Sequence, residues 1–143
     1  MTDFALNRSN VGANKGAYSD EDEALDAVVE RLVDQIDPEF VWLFGSRARR
    51  AHRPESDFDL LVVTKVEDGD AGRDYDRVYA PVLGTGVGCD VVPCRLDDFE
   101  REATSPTGLV QEVLRTGVRL YDRRKVLSGE SEKQFHFSSF VKA

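Results

Sequence analysis

The chain is poor in the residues that build metal cages and disulfide frameworks. Its 143 residues include two cysteines, Cys89 and Cys94, and two histidines, His52 and His136. No group of them has zinc-ligand spacing. Cys89 and Cys94 stand five apart on a candidate strand and so point to opposite faces, which argues against a bridge and for buried thiols. Lysine is scarce, at five against fourteen arginines. No apolar run approaches the ~20 residues of a membrane span, and MTDFALNRSN carries no signal-peptide pattern. The expectation is a soluble, cytoplasmic protein. Positive charge is in deficit: Lys+Arg is 19, Asp+Glu is 27 and the net charge is −8. That balance argues against direct nucleic-acid binding. The length suits one domain with a real core, and no internal repeat is visible.

One stretch concentrates the chemistry: VWLFGSRARRAHRPESDFDLLVV, from Val41 to Val63. Phe40 to Phe44 is an apolar run of strand length. Gly45 ends it and permits a close backbone approach or a positive φ. Ser46 is a good N-cap for a helix starting at Arg47, and a helix start after a glycine turn favours anions. Arg47, Arg49, Arg50 and Arg53 follow with no acid among them. Ten residues separate Ser46 from Asp57-Phe58-Asp59. On a strand both carboxylates face one way and Phe58 the other. Two such charges at ~4 Å repel by roughly 4 kcal/mol at an effective dielectric of about 20. A Mg²⁺ ion held by one or two carboxylates and substrate phosphates offsets that repulsion economically.

The stretch GSRARRAHRPESDFDLLVV resembles the signature of the DNA polymerase β-like nucleotidyltransferase superfamily. Its nearest likeness is to the small stand-alone minimal nucleotidyltransferases, which often pair with HEPN-domain proteins as toxin–antitoxin modules. The family pattern is GS-x10-D-x-D. Gly45, Ser46, Ala48, Arg49, Ser56, Asp57, Asp59 and Leu60 match it. Arg50 departs, since glycine is usual there; its side chain either narrows the nucleotide approach or adds a phosphate contact. The resemblance spans roughly residues 20–122 and rests on a specific motif.

The remaining chain supplies a scaffold. Residues 1–18 read as a mobile arm. Ser19 and Asp22 resemble a capping box. Ala24, Leu25, Val28, Val29, Leu32, Val33 and Ile36 then recur at helical spacing, predicting a helix over Asp20–Ile36 that Asp37-Pro38 ends. The acids of that helix read as a solvated face. Leu60–Val63 predicts a strand buried on both faces, and 65–72 a polar loop. Ala71, Tyr75, Val78, Tyr79 and Val82 suggest a second helix, with Pro81 ending or kinking it. Gly84, Gly86 and Gly88 read as loop. Cys89–Cys94 predicts the third strand, with Pro93 marking an edge or an end. Asp97 reads as a cap for a short helix containing Phe99. Ser105-Pro106 reads as the N-cap and N1 of a helix that Gly117 ends, and Val118–Tyr121 as a last short strand. Residues 19–122 form the expected domain. Residues 123–143 read as a tail whose Phe135, Phe137 and Phe140 either dock on the domain or bind a partner.

The resemblance implies an α/β fold, a small mixed sheet flanked by helices. It implies transfer of AMP, or another NMP, from ATP or another NTP to a hydroxyl, with release of pyrophosphate. In that scheme Asp57 and Asp59 hold Mg²⁺. Asp90, the acid on the third strand, completes the metal site and helps activate the hydroxyl. Gly45 and Ser46 hold the β- and γ-phosphates, with Arg49 nearby. The implied acceptor is a tyrosine of a HEPN-type toxin, making the chain an adenylylating antitoxin. Two other readings stay open: a non-catalytic antitoxin acting by occlusion, and a small-molecule, aminoglycoside-type nucleotidyltransferase. No second domain for a small acceptor is obvious, which weakens the last.

Overall fold

The computed structural model describes residues 15–50 and 56–129. His52, Arg53, most of the N-terminal arm and the Phe-rich tail lie outside them. The chain forms four strands: β1 (Phe40–Phe44), β2 (Phe58–Thr64), β3 (Cys89–Arg95) and β4 (Val118–Asp122). They make one sheet in the order β3-β2-β1-β4. β1 runs antiparallel to β2 and β4, whereas β2 and β3 are parallel. The expected mixed sheet flanked by helices is present. β3 is an edge strand, consistent with Pro93 within it.

Side-chain alternation builds two cores. Helix α1 (Glu21–Ile36) buries Leu25, Val28, Val29 and Leu32 against Val41, Leu43, Leu60 and Val62. The opposite parity, Phe40, Leu61 and Val63, packs with Phe99 of α4 (Leu96–Glu102) and with Val110 and Val113 of α5 (Leu109–Thr116). Consecutive residues of β1 and β2 therefore feed different layers, which is why both strands read as continuous apolar runs. The parallel β2–β3 pair requires a crossover. It contains 3₁₀ turns at Val66–Arg73, α3 (Tyr75–Tyr79) and a further turn at Ala80–Val82. Val78 and Val82 anchor it in the α1-side core, and Arg31 donates to the carbonyls of Pro81 and Leu83.

Several cap expectations are corrected. The N-cap of α1 is Asp20, which accepts from the Glu23 N–H; Glu23 in turn accepts from Ser19. The capping box is thus offset by one residue, since Glu23 has the reach that Asp22 lacks. Ser46 is not a cap: α2 (Gly45–Ala48) starts directly after β1, with Phe44 as its N-cap. Asp97 lies inside α4, where Arg95 is the N-cap and donates to the Asp97 carboxylate. Ser105-Pro106 does not start α5. The Ser105 hydroxyl donates to the Thr107 carbonyl instead, and Gly108 at φ 111° begins the helix. The first residues after 122 form α6 (Arg123–Leu127), capped by Asp122.

Arg47 ties these layers together. It is 2 % exposed. Its NH1 lies 2.9 Å from Glu21 Oε1, its Nε donates to the Ser56 carbonyl at 2.9 Å, and its guanidinium covers the Phe58 ring at 4.2 Å. One side chain thus joins α1, α2 and the start of β2. Glu21 belongs to this contact rather than to a wholly solvated face. Glu21→Ala removes a carboxylate that lies 2.9 Å from a buried cation. We expect a loss of roughly 2 kcal/mol in urea unfolding, below the usual cost for a fully buried pair because Glu21 is partly exposed. Arg50 stands at φ 59°, a left-handed conformation that costs a side-chain-bearing residue roughly 1 kcal/mol. Arg50→Gly is expected to raise unfolding free energy by about that amount, read in the same titration.

Candidate active site

The topology gathers distant residues at one end of the sheet. β1 ends where β2 begins because the two are antiparallel, and β3 begins beside β2 because those are parallel. Phe44 pairs with Asp59, and Asp59 pairs with Asp90. Gly45, Asp59 and Asp90 thus stand side by side, with Asp57 just before β2. Gly45 adopts φ +76°, and a side chain there would collide with the Asp59 carboxylate. Only glycine lets the turn lie that close to the acid. Ser46 follows, half-buried, in the first turn of α2. Arg49, 45 % exposed, stands 3.7 Å from Glu112 of α5.

Asp59 is the half-buried member of the cluster, whereas Asp57 and Asp90 are exposed. Its carboxyl is pushed above its ordinary 3.8, first by burial and then by the charges of Asp90 and Asp57, with Arg49 pulling the other way. The opposite face of the strand shows the same field. Burial pushes the Cys89 thiol up to about 12, with Asp57, Asp59 and Asp90 adding to the rise. Cys94 rises to about 11, mainly by burial. Both cysteines are free, and burial disfavours the thiolate form of each.

No three His, Cys, Asp or Glu side chains among the described residues form a ready-made metal cage. The carboxylates still fit a magnesium ion. Mg²⁺ keeps several waters and takes one or two carboxylates together with substrate phosphates, so a complete protein cage is not its usual site. Burial raises the Asp59 carboxyl first; the charges of Asp90 and Asp57 that add to the rise are what such an ion would neutralise. Arg49 provides part of that compensation at Asp59.

Sequence reasoning missed two neighbours of this cluster. Arg47 is indistinguishable in the sequence from the other arginines of its run, and only burial separates it. Tyr75, one of the residues that suggest the second helix, begins that helix and is 47 % exposed. Its hydroxyl is held above its usual range, first by desolvation and then by the charge of Asp90. A cavity of about 440 Å³ at the start of α1 is lined by Lys15, Ser19, Asp20, Glu21 and Asp22. It includes none of the residues of the G-S and D-x-D motifs.

Comparison with known proteins agrees with this geometry. No curated protein matches the chain significantly. In fold it is similar to a Sulfolobus solfataricus protein assigned as a nucleotidyltransferase, whose crystal structure was solved at 1.40 Å. The TM-score is 0.51 and the identity 22 %, over 82 % of this chain and 87 % of that one, a likeness that speaks for the fold. The family described as "Polymerase beta, Nucleotidyltransferase" matches residues 27–126, the greater part of the chain and the whole stretch from Gly45 to Asp90. With its sheet order, glycine turn and carboxylate register accounted for, this chain belongs to the polymerase β-type nucleotidyltransferases.

Proposed function

We propose that this protein is a Mg²⁺-dependent nucleotidyltransferase that moves AMP from ATP to a hydroxyl on a partner protein, a HEPN-type toxin, and so acts as an antitoxin. The observation that carries the chemistry is the double register of Phe44 with Asp59 and of Asp59 with Asp90. It sets a glycine turn, a buried-side acid and an exposed acid in a row. Gly45 and Ser46 orient the β- and γ-phosphates. Asp57 and Asp59 hold the metal, whose role when bound is to neutralise the triphosphate and the departing pyrophosphate. Asp90 accepts the proton of the acceptor hydroxyl as its oxygen bonds to the α-phosphorus and the bond to pyrophosphate breaks. Arg49 can exchange its long contact with Glu112 for a phosphate. Positioning and charge neutralisation carry such transfers.

The protein-partner reading is supported by the motif's likeness to minimal nucleotidyltransferases and by the openness of the site. Asp57 and Asp90 are exposed, so a side-chain hydroxyl on another protein's surface can reach Asp90. The predicted acceptor is a tyrosine. The neighbouring-gene HEPN protein, co-incubated with this chain, ATP and Mg²⁺, should gain one or more AMP groups by intact mass, and Asp57→Asn should abolish the gain. A tight complex without added mass would favour occlusion, and no complex would favour a small acceptor.

Two variants test the site itself. A carboxyl whose folded value lies above its unfolded one costs stability as pH rises through that window, and the full cost persists at neutral pH. Asp59→Asn is therefore expected to raise the thermal midpoint at pH 7 in the presence of a chelator while abolishing metal-dependent turnover. A lowered midpoint would mean that Asp59 is a structural acid. Ser46→Ala, which removes no cap, should change the unfolding free energy by no more than about 0.5 kcal/mol. It should nevertheless weaken ATP binding in titration calorimetry, and equal affinity would remove Ser46 from the site.

A further inference from the structure

Arg47 reaches the carboxylate site from behind. Its guanidinium covers the Phe58 ring at 4.2 Å, and Phe58 packs in the α1-side core. Asp57 and Asp59, on either side of Phe58 in sequence, face the other way. Arg47 therefore stands on the far face of the sheet from both acids. It also directly follows Ser46 in α2. One residue thus links the glycine turn to the strand that carries the D-x-D pair.

The two acids are not held alike. Asp59 lies within the ladder, paired with Phe44 on one side and with Asp90 on the other. Asp57 stands one residue ahead of β2, whose first pair is Phe58 with Cys89. Two hydrogen bonds bracket its backbone. On the C-terminal side the Phe58 N–H donates to the Gly88 carbonyl at 2.9 Å. On the N-terminal side Arg47 Nε donates to the Ser56 carbonyl at 2.9 Å. A carbonyl and the next residue's N–H share one rigid plane, so this bond fixes the peptide from which Asp57 departs. Arg47 is itself firmly held: it is 2 % exposed, and its NH1 lies 2.9 Å from Glu21 Oε1. A guanidinium supplies two separate donors and a flat face at once, whereas an ammonium is a single point of charge.

We propose that Arg47 is a positioning residue for the metal site: its bond to the Ser56 carbonyl sets the direction in which Asp57 presents its carboxylate beside Asp59. This rests on the reading of Asp57 and Asp59 as the metal-holding pair. Residues that aim a metal ligand without touching the metal typically change its affinity roughly 10–100-fold when they are lost.

The test uses Mn²⁺ as the probe, with the free ion read by electron paramagnetic resonance in the absence of nucleotide. Wild type should bind Mn²⁺, and Asp57→Asn should lose most of that binding. Arg47→Lys keeps the charge and loses the fork. Folded by circular dichroism, it should bind Mn²⁺ roughly tenfold more weakly than wild type. A lowered thermal midpoint with wild-type Mn²⁺ affinity would overturn the proposal and leave Arg47 a structural brace. Where Arg47→Lys fails to fold, Glu21→Ala and Glu21→Gln carry the test. Glu21→Ala removes an acceptor at the outer end of Arg47 and should weaken Mn²⁺ binding. Glu21→Gln, which keeps an acceptor there, should bind as wild type. An equal loss in the two would assign the effect to the charge of Glu21 acting at a distance, and no loss in either would leave Asp57 set without Arg47; both results overturn the proposal. A wild type that binds no Mn²⁺, or an Asp57→Asn protein that binds it undiminished, would overturn the metal-holding reading and the proposal with it.

Discussion

The close approach of the Gly45 backbone to the Asp59 carboxylate is the constraint on which the site depends. It requires three things at once: a positive φ at Gly45, the antiparallel register that pairs Phe44 with Asp59, and an acid rather than a larger apolar residue at position 59. A one-residue slip between β1 and β2 would turn Asp59 toward the α1-side core and Phe58 away from it. The apolar residues on either side forbid that slip, because Leu60 and Val62 belong to one layer and Leu61 and Val63 to the other. Packing of the core therefore sets the position of the carboxylates. The folded chain tolerates their repulsion because Asp57 and Asp90 remain in water and Arg49 offsets part of the field at Asp59.

The strands and the long helix were legible because each has a strong period or a continuous apolar run of the right length. α1, β1 and the apolar run of β2 stand essentially where the sequence places them. β3 extends one residue past Cys94, and α5 ends at Gly117 as expected. The short elements were less legible. Ser46, Asp97 and Ser105 each carry a side chain that can cap a helix, and none of them does. Cap propensity is worth about 1 kcal/mol, less than the local alternatives these residues find. Asp97 receives a bidentate pair from Arg95, with both contacts at 2.7 Å. Ser105 closes its own turn on Thr107. The crossover helix shrank to α3 because Val78 and Val82 suffice to anchor it, and the 3₁₀ turns around it absorb the remaining length.

The arginine run shows where sequence reading stops. Arg47 and Arg49 are two residues apart and so lie on different sides of α2. Arg47 turns inward and meets a carboxylate, a carbonyl and an aromatic face, which together satisfy a guanidinium out of water. Arg49 turns outward toward Glu112. Nothing in the run itself distinguishes the two, since the partners of Arg47 come from α1 and from the start of β2. Arg50 is different: the departure from the family's usual glycine was visible, but its reason was not. The left-handed backbone at Arg50 explains why glycine is common there and why another residue can occupy it at modest cost. The brace made by Arg47 three residues earlier holds the turn against that strain.

The asymmetry of the sheet decides how the site meets its surroundings. β1 and β2 are interior strands, so the glycine turn and the D-x-D pair are fixed by neighbours on both sides. β3 is an edge, and Asp90 stands exposed at its start. An edge strand presents unpaired backbone groups, which proteins cover or interrupt. Here Pro93 interrupts the edge and the crossover covers it, with α3 lying against β3. That cover is short and is held chiefly through Val78 and Val82. The glycine turn and the D-x-D pair are thus bound to the core through strands with neighbours on both sides, whereas Asp90 stands on a strand with one.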